Sequence, residues 1–280
     1  MSFGRRLSAA TQAYGPLCVG LDPHASVLEA WGVGDTFEGL ERFAEVCVEA
    51  FAGQVGVVKP QSAFFERFGS RGVAVLEWLL QQFRHTGTLT VLDVKRGDIG
   101  STAQAYAEAY LDDDAPMAAD AVTVSPFLGF GSLAPFFTEA ERNDAGVFVL
   151  ALTSNPEGPQ FQHAVGADGR TVAGSVLQQL AELNSGELSS TGSGAGALGS
   201  FGAVVGATIG DTAEDLAIHG PLLVPGLGAQ GGTVEDLKRL FGDVWGQVVP
   251  SSSRGVLRAG PDPAALRASA QQVNDQLVSS

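Results

Sequence analysis

Short runs of branched apolar residues recur along the chain, each followed by a longer stretch whose apolar positions fall three and four apart. The runs read as strands at 17–21, 55–59, 88–94, 120–124, 146–152, 202–207, 221–225 and 245–249, because such blocks suit a pleated surface buried on both faces. Between the first two, Phe37, Leu40, Phe43, Ala44, Cys47, Val48 and Phe51 put one apolar stripe on a predicted helix over 36–52. Helix starts are also signalled by a capping side chain with a polar partner three residues on: Ser101 with Gln104, Asp211 with Glu214, and Thr233 with Asp236.

Eight apolar strands alternating with helical segments predict parallel strands covered by helices and closed on themselves. The expected fold is α/β, a (β/α)8 TIM barrel, with residues 1–280 in a single domain. An open doubly wound sheet usually carries a glycine-rich first turn, whereas the first turn here is GLDPHAS. One stretch breaks the alternation. NSGELSSTGSGAGALGS, at 184–200, has the composition of a flexible surface insertion on the way to the sixth strand.

Composition narrows the class. With 45% hydrophobic residues the chain can build a large core, and its formal charge of −15 argues against a nucleic-acid binder, which needs clustered cations to displace counterions. Cys18 and Cys47 are the two cysteines and form no CxxC pair, so they read as buried thiols. The four histidines are dispersed and no metal-binding motif occurs, so neither a metal nor a cofactor is expected. No window approaches about 18 uninterrupted apolar residues, and MSFGRRLSAATQAYG lacks the apolar segment of a leader. The expectation is a cytoplasmic protein with no membrane partner.

Active sites of such barrels sit at the carboxyl ends of the strands, where this chain places Asp22, Lys59, Asp93, Lys95, Asp98, Ser125, Thr153, Ser154, Gln230 and Arg254. Asp93 and Lys95 lie two apart, so they project together and can pair. A carboxylate beside an ammonium keeps the lysine protonated and able to act as an acid. Asp98 stands beyond the strand, about 10 Å from Lys95 if the chain is extended, where an acid also suits the start of the next helix. The loops after the seventh and eighth strands, PGLGAQGGT and PSSSRGV, occupy the recurrent phosphate-binding position of these barrels. Their glycines let backbone N–H groups approach an anion, and Arg254 supplies a guanidinium fork.

These motifs together resemble the orotidine 5′-phosphate decarboxylase family, in a longer bacterial branch. The resemblance rests on GLDPH at 20–24, VVKP at 57–60, DVKRGDIGST at 93–102, TVSPFLG at 123–129, LTSNPEG at 152–158, PGLGAQGG at 225–232 and SSSRG at 251–255. It implies decarboxylation of orotidine 5′-monophosphate without a cofactor, with Lys95 as proton donor between Asp93 and Asp98. It further implies a homodimer in which Asp98 and Thr102 reach the partner's site. Asp22 and Lys59 would contact the ribose hydroxyls, Ser154 the pyrimidine, and Gln230 with Arg254 the phosphate. Many relatives place the phosphate arginine straight after a glycine, whereas here three serines precede Arg254, a departure that leaves the register of the phosphate contacts open. A sister group of sugar-phosphate aldolases and decarboxylases shares the D-x-K-x-x-D frame but uses Mg2+, so metal dependence separates the two readings.

Overall fold

The computed structural model describes residues 1–192, 194, 196–228 and 232–279. Its strands are β1 (Cys18–Leu21), β2 (Val57–Pro60), β3 (Leu89–Arg96), β4 (Ala121–Val124), β5 (Gly146–Leu152), β6 (Phe201–Val205), β7 (Leu222–Pro225) and β8 (Val248–Ser252). Each pairs in parallel with its sequence neighbour and β8 pairs with β1, which closes an eight-stranded barrel. The principal helices are α1 (Phe3–Tyr14), α2 (Phe37–Phe51), α3 (Gly69–Phe83), α4 (Gly100–Leu111), α5 (Ala134–Arg142), α6 (Val172–Ser190), α7 (Val234–Phe241) and α8 (Pro263–Ser279). The (β/α)8 architecture is the one the hydrophobic pattern predicts.

The period of two along each strand explains how the barrel is filled. Residues facing the helices, such as Val19, Val58, Leu92 and Val122, join the large core between sheet and helices. Those facing inward at the lower end are Cys18, Val57, Val91, Ala121, Phe148, Val204, Leu223 and Val249, and Phe3, Leu7 and Ala10 of α1 plug the floor beneath them. Two residues further along the same inward faces, Val57 gives way to Lys59, Val91 to Asp93, Ala121 to Thr123 and Val249 to Ser251. The interior is therefore apolar below and polar at the mouth, which is where the charges of β3 belong.

Local expectations meet mixed outcomes. Thr36 caps α2 by accepting the Gly39 N–H, and Thr233 with Asp236 forms the expected reciprocal capping box at α7. Ser101 does not cap α4, because Gly100 takes a left-handed φ of 55° and the helix starts there, leaving Ser101 in its exposed first turn. No helix forms between β6 and β7 among the described residues. Instead Glu214 accepts the hydroxyl of Thr171, the cap of α6, while Thr212 and Asp215 hold local turns, so the Asp211–Glu214 signal marks turns and not a helix start.

The eighth strand lies at 248–252, further along than 245–249, because its ladder partners on β7 run from Leu222 to Pro225. Trp245 to Gln247 instead belong to a 3-10 turn that precedes it. The 184–200 stretch is in part a continuation of α6, which runs to Ser190. Asn184 is fully buried there, and Glu187 accepts both the backbone N–H and the hydroxyl of Ser200. Polar residues that resemble a spacer in composition are in fact anchors for the start of β6.

Candidate active site

The mouth of β1 to β4 holds a line of alternating charges. Lys59 Nζ lies 2.9 Å from Asp93 Oδ2 and 4.0 Å from Asp22 Oδ1. Lys95 Nζ donates to the other oxygen of Asp93 at 2.6 Å and to Gln61 Oε1 at 3.3 Å. Gln61 in turn donates to the Asp93 carbonyl at 3.2 Å. Lys59 and Asp93 are buried, whereas the Lys95 side chain is 44% exposed and faces the opening.

Burial opposes charge on both Lys59 and Asp93, yet their mutual attraction prevails. Desolvation would push Asp93 upward, but Lys59 and Lys95 hold its carboxyl far below the usual range. Desolvation would likewise lower Lys59, but Asp93 and Asp22 keep its ammonium above the ordinary lysine value. Lys59 and Asp93 are thus both ionised at neutral pH. Asp22 Oδ1 is buried with no hydrogen-bond partner among the described residues, and Lys59 Nζ at 4.0 Å is its nearest counter-charge.

Lys95 reaches its position through an irregularity in the sheet. Between two paired points β3 advances from Leu92 to Arg96 while β4 advances only from Val122 to Val124, and Lys95 takes a positive φ of 47°. A branched-free but bulky residue in that region is held there by its surroundings. Thr123, 1% exposed, accepts the Lys95 N–H at 2.9 Å and donates to Asp93 Oδ1 at 2.7 Å.

The other expected site residues are more dispersed. Asp98 does not reach Lys95 of its own chain; it is half-buried and accepts the Ile99 N–H at 2.8 Å. Thr102 is exposed on α4, and Ser154 is exposed in the loop after β5, close to Gly206. Arg254 opens a short helix after β8 and lines a cleft of about 820 Å³ with Gly228, Gly232, Thr233 and Arg258. Gln230 lies outside the described residues. Gln61 and Thr123 are not evident from strand-end reading, although each lies two residues beyond an inward-facing position, Lys59 and Ala121, which is the signal that finds them.

A closed parallel barrel with two lysines and two aspartates converging at the carboxyl ends of its strands defines an enzyme of the (β/α)8 class. The chain belongs to the family described as "Orotidine 5'-phosphate decarboxylase / HUMPS family", whose profile matches residues 15–269. It is 59% identical over 271 residues to the orotidine 5′-phosphate decarboxylase of Streptomyces coelicolor, covering 96% of this chain and 95% of that one. With the enzyme of the same name from a Nocardioides species it shares 60% identity over 280 residues, 99% of each chain. A crystal structure from Streptomyces avermitilis, provisionally assigned that activity, matches with a TM-score of 0.94 at 56% identity over 99% of this chain and 95% of the other. The structure of Leishmania donovani OMP decarboxylase matches with a TM-score of 0.73 at 30% identity, over 100% and 98%.

Proposed function

We propose that the protein converts orotidine 5′-monophosphate to uridine 5′-monophosphate and CO2, in de novo pyrimidine synthesis in the cytoplasm, with Lys95 as the proton donor and no cofactor. The observation that carries this reading is the Lys95 ammonium, fixed on Asp93 at 2.6 Å and facing the barrel mouth. Breaking the bond from C6 to the carboxylate leaves an electron pair in the plane of the pyrimidine, outside its π-system. A preorganised cation at that point stabilises the developing charge. Lys95 then transfers a proton from Nζ to C6, and the resulting amine regains a proton from water.

The remaining residues have roles consistent with their placement. The Asp22 oxygen, without a hydrogen bond, suits a ribose hydroxyl, and Lys59 holds Asp93 while presenting its own ammonium to the same region. Ser154 would meet the pyrimidine, and Arg254 with Gln230 the phosphate, whose binding energy organises the reacting end. Asp98 and Thr102 would serve the site of a second copy. Ile99, Phe127 and Leu128 are 62%, 69% and 52% exposed, on adjoining loops where Gly97 packs against the Ser125 carbonyl. Such an apolar patch fits burial in a homodimer. No helix among the described residues is long and apolar enough to cross a membrane.

A spectrophotometric assay with orotidine 5′-monophosphate, with and without chelator, tests the reaction; loss of turnover on chelation and its return with Mg2+ would refute the cofactor-free reading. Lys95→Ala should retain uridine 5′-monophosphate binding and lose decarboxylation. Mixing Asp98→Asn with Lys95→Ala subunits should restore activity, and mixtures no better than either parent would sink the shared site.

A further inference from the structure

We infer that Thr123 is a positioning residue for the reaction, acting through Lys95 by holding its backbone and its charge partner with one hydroxyl. This inference rests on the reading of Lys95 as proton donor.

The need for such a residue comes from the sheet irregularity. Where β3 takes four steps, from Leu92 to Arg96, β4 takes two, from Val122 to Val124. Asp93, Val94 and Lys95 therefore face one residue of β4, Thr123. A ladder that is out of step in this way leaves N–H groups without their usual backbone acceptor. At Lys95 the acceptor is the Thr123 side chain, at 2.9 Å.

A hydroxyl carries one proton and can accept on its lone pairs. Because the Lys95 N–H occupies a lone pair, the single Thr123 proton is directed elsewhere, and it goes to Asp93 Oδ1 at 2.7 Å. That same oxygen receives Lys95 Nζ at 2.6 Å. The bonds form a closed ring: Lys95 backbone to Thr123, Thr123 to Asp93, Asp93 to the Lys95 ammonium. A long, flexible side chain with four rotatable bonds is pinned at both its root and its tip. Full burial of Thr123 removes water that would otherwise compete for either bond.

The chemistry explains why a threonine serves here. Valine has the same shape but neither accepts nor donates, so the Lys95 N–H would lose its partner and the left-handed backbone at that position would lose its support. Asp93 Oδ1 would also lose one of its two donors and be oriented by the lysines alone. The ammonium would remain near the mouth, but no longer fixed where the C6 electron pair appears, and a displacement of about 1 Å at a reacting group can reduce rate about 100-fold.

The test compares Thr123→Val and Thr123→Ser with wild type and Lys95→Ala, measuring kcat and KM for orotidine 5′-monophosphate, uridine 5′-monophosphate affinity and thermal midpoint. Thr123→Val should lower kcat roughly 10- to 100-fold while KM and product affinity change by less than about threefold. Thr123→Ser keeps the hydroxyl and should recover most of the rate even if its thermal midpoint falls, a separation that a packing role would not give. If the valine protein does not fold, Thr123→Cys, with a weak donor and acceptor of similar size, should show the same loss of kcat at near-normal KM. A folded Thr123→Val or Thr123→Cys protein with wild-type kcat overturns the inference, as does a serine variant as slow as the valine one. Turnover by Lys95→Ala would instead overturn the proton-donor reading itself, so the two failures are distinguishable.

Discussion

Replacing Asp93 with asparagine tests whether the buried charge line is held together as the distances indicate. Lys59 Nζ is 2.9 Å from Asp93 and 4.0 Å from Asp22, with the Lys59 and Asp93 side chains each 6% exposed. At an effective dielectric constant of about 20, these separations correspond to gross attractions of about 6 and about 4 kcal/mol. Asp93→Asn removes the larger and retains the smaller, and the new amide oxygen can still accept from one lysine. The Lys95 contact adds little, since that ammonium is 44% exposed and screened by water. The net loss should be about 3 kcal/mol at pH 7, at the lower end of the range for breaking a buried pair, or a fall in Tm of roughly 6 to 12 °C for a chain of this size.

The pH dependence adds a second constraint on the same variant. The Asp93 carboxyl is depressed in the folded state, so its stabilisation is present above the ordinary value of about 3.9 and is lost as pH falls toward the folded value. Lys59 is raised, so its contribution is present below about 10.4 and is lost as pH climbs through its folded value. The gap between wild type and Asp93→Asn should therefore be level from about pH 5 to 9 and shrink by about 1 kcal/mol at pH 3. Urea unfolding at fixed protein concentration, followed by tryptophan fluorescence, measures it. A gap below about 1 kcal/mol at pH 7, or an equal gap at pH 3 and pH 7, would refute the reasoning.

Three further outcomes are expected. Asn184→Leu removes bonds from Nδ2 to the carbonyls of Phe201 and Ile218, at 2.7 and 2.8 Å, and one from the Phe201 N–H to Oδ1; the buried backbone groups left behind should lower stability by about 3 kcal/mol, measurable by urea unfolding. Arg254→Ala should raise KM for orotidine 5′-monophosphate roughly 10- to 100-fold but leave turnover of orotidine, which has no phosphate, unchanged in the same assay. Both cysteines are buried, and burial pushes the Cys18 thiol up to about 12 and Cys47 upward as well, so neither should react with an aromatic disulfide reagent until the protein is unfolded.

The fold was legible because strand blocks and helix stripes obey periods of two and about 3.6, and every strand predicted by them exists. Errors arose where small polar residues carry regular structure. Ser251 and Ser252 look like a loop yet close the barrel as part of β8, and Asn184 looks like a spacer yet lies at the end of a buried hydrogen-bond network. The pairing of Asp93 with Lys95 could be read from an interval of two, since both face the mouth. The strand irregularity at Lys95 could not, because it depends on how far β4 runs beside β3. Thr123 was hidden for the same reason: its meaning is set by the neighbouring strand and not by its own.

The left-handed backbone at Lys95 has a consequence for selection. Glycine at this position would accept a φ of 47° without the Cβ crowding that burdens other residues by roughly 1 to 2 kcal/mol. A screen that rewards heat resistance alone would thus favour Lys95→Gly, a change that deletes the ammonium. Durability and chemistry are set against each other at a single residue, and the lysine found there records which of the two has been maintained.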